Sequence, residues 1–175
     1  MEKPKRFALI GLPGSGKSTF AAKLGGLLNI PVHHLDRHMF VANGKKRDKQ
    51  EFLAIQKAML AEDSWVIEGC SISTLEMRFA RADIVIYFHL PRLLCTWRVL
   101  KRRWRPDKTL YDTAEGCSQV FNWELVKYIW TFDQDKREGI EQLRKKYPHV
   151  VFRIFKSSQE ADSYIEELKN QYQNS

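Results

Sequence analysis

Cysteine is scarce and scattered in this 175-residue chain: Cys70, Cys95 and Cys117 stand apart, with no C-x-x-C pair among them. An odd, dispersed set builds neither a disulfide framework nor a zinc site, and it points to a reducing compartment, the cytoplasm by default. Long apolar runs are missing as well, so no segment is expected to span a bilayer. The charged start Met1-Glu2-Lys3-Pro4-Lys5-Arg6 leads into a short strand pattern rather than the apolar centre of a secretion signal. There is no internal repeat and no low-complexity tract. The remainder is ordinary globular material: 43% hydrophobic and 12% aromatic residues exclude disorder of the whole chain. The length suits one domain, residues 1–175, with a sizeable core.

Charge of one sign is in excess. The formal net charge is +8, and Arg92, Arg98, Lys101, Arg102, Arg103 and Arg105 fall within one helical pattern and its exit. Such a cluster serves a site for polyanionic small molecules or a nucleic-acid surface, and charge alone does not choose between them. No helix-turn-helix, zinc finger or aromatic-rich strand of the nucleic-acid-binding kind accompanies it.

The segment Gly11-Leu12-Pro13-Gly14-Ser15-Gly16-Lys17-Ser18 fits G-x-x-x-x-G-K-[ST] at every fixed position. An apolar run, Phe7–Ile10, precedes it, and a helical pattern over Thr19–Leu28 follows, with Phe20, Leu24, Leu27 and Leu28 on one face. This is the strand–loop–helix setting of a phosphate cradle. Glycines let successive N–H groups point into one concavity, and the helix adds unpaired donors and a positive dipole end. Gly11, Pro13, Gly14, Ser15, Gly16, Lys17, Ser18 and Thr19 are the expected nucleotide-binding residues. Lys17 supplies charge at the β/γ-phosphates and the Ser18 hydroxyl a ligand for Mg²⁺.

Strand and helix patterns alternate along the rest of the chain. Strands are predicted over Pro31–Leu35, Trp65–Ile67, Ile84–Phe88 and Val150–Phe155. Helices are predicted from Asp48 to about Ala61, from Ser73 to about Ala80, from Pro91 onward, over Val120–Tyr147 with a break or bend near Thr131–Asp133, and from Ser157 to near the end. The helix after Pro91 carries Leu93, Trp97, Leu100 and Trp104 on one stripe, read as its buried face. The segment Arg105–Cys117 is irregular. These patterns predict a three-layer α/β/α P-loop NTPase with a five-stranded parallel sheet, and ligands at the carboxyl ends of its strands.

The residues that leave those strands are therefore candidates. Asp36 follows the second strand and would orient a substrate hydroxyl or act through water on Mg²⁺, or else serve as a turn or cap residue. His33 and His34 point to opposite faces of their strand, against a histidine metal site. Glu68 ends the third strand and suits an acidic contact, through water, to the Mg²⁺ shell; the other reading is a strand-ending turn with Gly69. Arg98 and Arg102 share a helix face and suit the charge of a phosphoryl-transfer transition state, as would Arg137 after the bend. Roughly residues 102–118 read as a lid.

Taken together, several segments resemble the bacterial adenylate-kinase-like family of DNA topology modulation proteins. They are the phosphate loop, Pro31-Val32-His33-His34-Leu35-Asp36, Asp63-Ser64-Trp65-Val66-Ile67-Glu68-Gly69, Arg78 to Asp83, Pro91–Cys95, Trp97–Arg103 and Glu115-Gly116-Cys117. The resemblance implies a nucleoside-monophosphate-kinase type of fold with a helical lid. It also implies ATP as phosphoryl donor with Mg²⁺, and transfer to a small acceptor, a nucleotide among the candidates. Asp36, Glu68, Gly69 and Arg78 would then surround the acceptor, while Lys17, Arg98, Arg102 and Arg137 would meet the transferring phosphate. The alternative function is a nucleotide-regulated DNA-binding protein with weak or no kinase activity. Two positions depart from the family: Glu68 and His89 stand where its members tend to have Asp. The first keeps the charge with a longer reach, and the second removes a carboxylate.

Overall fold

A computed structural model of the chain describes residues 3–39, 45–69, 71–104 and 123–173. Its strands are β1 (Arg6–Gly11), β2 (Val32–His34), β3 (Trp65–Glu68), β4 (Ile84–Phe88) and β5 (Val151–Phe155). Its helices are α1 (Lys17–Leu28), α2 (Leu35–Met39), α3 (Lys49–Ala61), α4 (Leu75–Phe79), α5 (Arg92–Trp104), α6 (Trp123–Lys146) and α7 (Ser158–Gln173). The strands form one parallel sheet in the order β2-β3-β1-β4-β5. This is the three-layer arrangement the alternating patterns predict, with the phosphate-loop strand at its centre.

The continuous apolar runs of β1 and β4 are explained by this position, because both are buried throughout. Phe20 of α1 packs edge-on against Phe88 and Phe155 on one face of the sheet, where Tyr164 of α7 joins Phe155. On the opposite face Phe79 of α4 stacks on Phe152 and meets Tyr147 beyond α6. Gly25 lets α1 approach β2: a Cβ there would stand 2.2 Å from Val32 Cγ2. At the amino ends of the strands, Asp83 takes the backbone N–H groups of Lys5 and Arg6 on Oδ2, at 2.9 Å each, and the Arg6 guanidinium on Oδ1 at 2.7 Å.

Local signals account for several boundaries. Asp48 caps α3 by accepting from the N–H groups of Gln50 and Glu51. Ser157 caps α7 by accepting from the N–H of Glu160. Three expectations are corrected. The cap of α4 is Thr74, not Ser73, and its hydroxyl is spent on Gln56 of α3 rather than on the helix end. α6 runs unbroken through Thr131–Asp133, where the Thr131 hydroxyl donates to the Lys127 carbonyl one turn back. In the predicted stripe of α5, Leu93 is 72% and Trp97 56% exposed, while Cys95, off the stripe, is fully buried. α5 lies close to the phosphate loop through the backbone of Cys95, whose carbonyl oxygen would stand 2.5 Å from a Cβ on Gly14. The predicted lid falls largely on residues 105–118, outside the described residues.

Candidate active site at the carboxyl ends of the strands

The loop between β1 and α1 is shaped by glycine. Gly14 and Gly16 have φ of 78° and 94°, in the left-handed region that side chains resist. A Cβ on Gly14 would stand 2.5 Å from the Cys95 carbonyl oxygen. The loop is thereby locked against α5 while its N–H groups and the start of α1 face the rim of the sheet. Lys17 is only 5% exposed, and its ammonium donates to the Leu12 carbonyl at 2.9 Å, which holds the charge folded back across the loop. Among the described residues, the buried Ser15 Oγ has no hydrogen-bond partner. A buried hydroxyl without a partner is costly, and in this loop a phosphate oxygen would satisfy it.

Beside the loop, Ser18 donates its hydroxyl to Glu68 Oε1 at 3.2 Å, and His34 Nδ1 lies 2.8 Å from the same oxygen. Glu68 is 1% exposed. Burial pushes its carboxyl up, but the His34 hydrogen bond, the Lys17 charge and the Ser18 hydroxyl outweigh it and hold the group below the ordinary glutamate range. It is therefore an ionised carboxylate at neutral pH. Two oxygen ligands, one of them charged, suit Mg²⁺, which keeps most of its shell as water and phosphate oxygens rather than needing a full protein cage. His33 points the other way, to Glu62 at 3.0 Å. Among the described residues, no group of three or more His, Cys, Asp or Glu side chains is arranged to hold a metal ion.

A cavity of 430 Å³ opens from the loop. Gly14, Ser15, Gly16 and Thr19 form one wall; Trp97, Arg98, Lys101 and Arg102 of α5 form another; Ser158 and Asp162 of α7 complete it. Arg98 spans the opening, with Nη2 donating to Ser158 Oγ at 2.9 Å. Lys101 lies over the Trp97 ring, 4.8 Å from its centroid. A larger groove of 610 Å³ between β5 and α7 is lined by none of the phosphate-loop residues, so it is not part of this site.

The remaining candidates divide. Asp36 sits in the first turn of α2, where a carboxylate suits the helix dipole. Gly69, at φ 151°, packs so tightly on Leu35 that a Cβ would stand 2.8 Å from Leu35 Cβ. That contact brings the start of α2 beside the end of β3. Arg78 has no exposed surface; its Nη1 donates to the Gly69 carbonyl at 3.2 Å and its Nη2 to that of Ser71. It shapes the turn after β3 from below. Arg137 is exposed on α6 and does not line the cavity. Sequence reading weighed His34 only as a metal ligand. Its partner lies on the neighbouring strand, so only the strand order exposes the pairing.

Solved structures of similar fold include shikimate kinase from Acinetobacter baumannii in complex with shikimate. It has a TM-score of 0.58 and 14% identity, over 99% of this chain and 95% of that one. Shikimate kinase from Bacteroides thetaiotaomicron aligns with a TM-score of 0.53 and 19% identity, over 98% and 99% of the two chains. Deoxyadenosine kinase from M. mycoides, with the products dCMP and dCDP bound, aligns with a TM-score of 0.53 and 14% identity, over 97% and 98%. No family model matches the chain, and no curated protein matches it. At these identities the likeness is one of fold: a three-layer P-loop NTPase of the type found in small-molecule kinases.

Proposed function

We propose that the chain is an ATP-dependent phosphotransferase that passes the γ-phosphoryl group of ATP to a small acceptor, a nucleotide among the candidates. One observation carries this reading. A glycine-shaped loop holds a buried lysine and, beside it, a serine hydroxyl bonded to an ionised carboxylate, and Gly14, Ser15, Gly16 and Thr19 of the same segment line a cavity walled by Arg98, Lys101 and Arg102. The backbone N–H groups of residues 14–19 and the α1 N-terminus would take the phosphates. Lys17, released from Leu12, would pair with the β/γ-phosphates. Ser18 directly, and Glu68 through water, would hold Mg²⁺, which when bound offsets charge on the phosphoryl oxygens. Arg98 and Arg102 would meet the charge that spreads over the equatorial oxygens in the transition state. Arg137 is proposed for the same task on the sequence reading alone.

On the acceptor side, Asp36 would orient the incoming oxygen, with Gly69 keeping the backbone clear. Arg78 would serve through the turn it holds. Membership of the DNA topology modulation family, a single domain with a lid over residues 102–118, and a cytoplasmic location are part of the same proposal. Among the described residues, no helix is long and apolar enough to cross a membrane. The DNA-binding alternative rests on the cationic α5, several of whose charges already line the cavity. The test is ADP formation from ATP across a panel of nucleoside monophosphates and small hydroxyl compounds. Turnover dependent on one acceptor supports the proposal. Salt-dependent duplex binding without acceptor-dependent ADP formation would favour the alternative.

A further inference from the structure

Glu68 takes its two hydrogen bonds on a single oxygen. Ser18 Oγ donates to Oε1 at 3.2 Å, and His34 Nδ1 approaches the same Oε1 at 2.8 Å. The shorter contact is the one to histidine. His34 and Glu68 are directly paired across β2 and β3, and both are buried. A carboxylate has only acceptors, so Nδ1 must carry the proton. The contact is then a charge-assisted hydrogen bond inside the sheet rim, where such bonds are strong and directional.

Glutamate has one more rotatable bond than aspartate, and an ionised glutamate at a strand end would otherwise sample several rotamers. From the phosphate loop come the weak hydroxyl of Ser18 and the charge of Lys17, which acts without fixing one rotamer. The remaining constraint comes from β2.

We propose that His34 is a positioning residue for the metal-bearing side of the site. Its Nδ1–H fixes the Glu68 carboxylate by Oε1 against the Ser18 hydroxyl and leaves Oε2 to face the water shell of the bound cation. This rests on the phosphotransferase reading above, and it adds a residue that no phosphate-loop pattern contains.

The experiment compares the wild type with His34→Asn, which keeps a donor nitrogen near the place of Nδ1, and with His34→Gln and His34→Leu, which do not. Calorimetry measures ADP affinity with and without Mg²⁺. Nitrogen-15 spectra of the metal-free wild type identify which ring nitrogen of His34 is protonated. The expected result is an Nδ1-protonated ring. The enhancement of ADP affinity by Mg²⁺ should stay within about twofold in His34→Asn and fall about tenfold in His34→Leu and His34→Gln, the effect of one charged hydrogen bond. Mg²⁺-free affinity should be unchanged in all of them.

A ring protonated only at Nε2 overturns the proposal. So does full Mg²⁺ enhancement in His34→Gln or His34→Leu, or a loss in natively folded His34→Asn equal to theirs. If His34→Leu does not fold, the Asn–Gln comparison decides alone. A wild-type chain that binds no nucleotide overturns the phosphotransferase reading itself, and this proposal with it.

Discussion

Gly14 and the Cys95 carbonyl are held so close that a single added carbon on Gly14 would stand 2.5 Å from the oxygen. The phosphate loop therefore has its shape dictated by α5 as well as by its own glycines. The helix that carries Arg98 and Arg102 is docked to the loop it serves.

Gly14→Ala tests that dependence. The substitution adds a carbonyl clash at a residue with φ of 78°. It should cost about 1–3 kcal/mol of stability and at least tenfold in nucleotide affinity, as the loop is pushed from α5. Thermal unfolding and calorimetry measure both. An unchanged affinity would mean that the loop does not need this docking.

Lys17→Ala should lower nucleotide affinity and turnover by orders of magnitude, because no backbone donor replaces its charge at the outer phosphates. The fold should survive, since Lys17 lies outside the apolar core of the sheet. Circular dichroism and ADP formation check the two halves. Near-normal turnover would remove the basis of the site.

Arg98→Ala and Arg102→Ala should lower kcat by about ten- to a thousandfold, and weaken ATP binding much less, if these charges meet the transition state better than the ground state. Arg137→Ala tests the role proposed for that residue, which is exposed and away from the cavity; a change in kcat of less than about twofold would withdraw the role. A loss in Arg137→Ala as large as in Arg98→Ala would assign it to the transferring phosphoryl group. Flattened salt dependence of DNA binding with unaltered turnover would assign the cluster to nucleic acid instead.

Asp83 supplies a pH dependence remote from the chemistry. Burial raises its carboxyl, but the Arg6 side chain and the N–H groups of Lys5 and Arg6 outweigh this and hold it below the ordinary aspartate value of 3.8. Its contribution to stability is present above that pH and is lost as the pH falls through the lower folded value. Asp83→Asn should cost about 1 kcal/mol at pH 7, the Arg6 pair being partly screened by solvent. The difference from wild type should shrink as the pH falls from 7 into strong acid, where the carboxyl is protonated in both states. Denaturant unfolding at pH 7 and in acid measures it; an equal loss in acid would contradict the assignment.

The central strand, the loop and the cap of α3 were legible because their signals are local: a fixed spacing of glycines, an uninterrupted apolar run, an aspartate before a helical pattern. That the strands form one parallel sheet followed from the alternation of patterns; their order did not. The orientation of α5 was not legible. Leu93 and Trp97 of its stripe are exposed and Cys95 is buried, and its backbone contact with Gly14 comes from a distant part of the chain. Arg78 came in as an acceptor contact through the family resemblance alone; nothing local in the sequence signals that it also holds the carbonyls of the turn after β3. Asp36 was placed at a strand end and lies in a short helix that begins one residue earlier.

The sheet order has a consequence for how the protein acquires activity. Ser18 and Glu68 are 50 residues apart in the chain, and His34 and Glu68 are 34 apart, yet they meet through adjacent strands. Each contact closes a long loop, and that entropy is recovered only when β1, β2 and β3 are all in register. No contiguous fragment around the phosphate loop holds this carboxylate in place, so a partly folded chain would lack the arrangement on which the proposed transfer depends. A nucleotide that binds only the assembled site would in turn favour assembly, adding about 2.7 kcal/mol of stability at a hundred times its Kd.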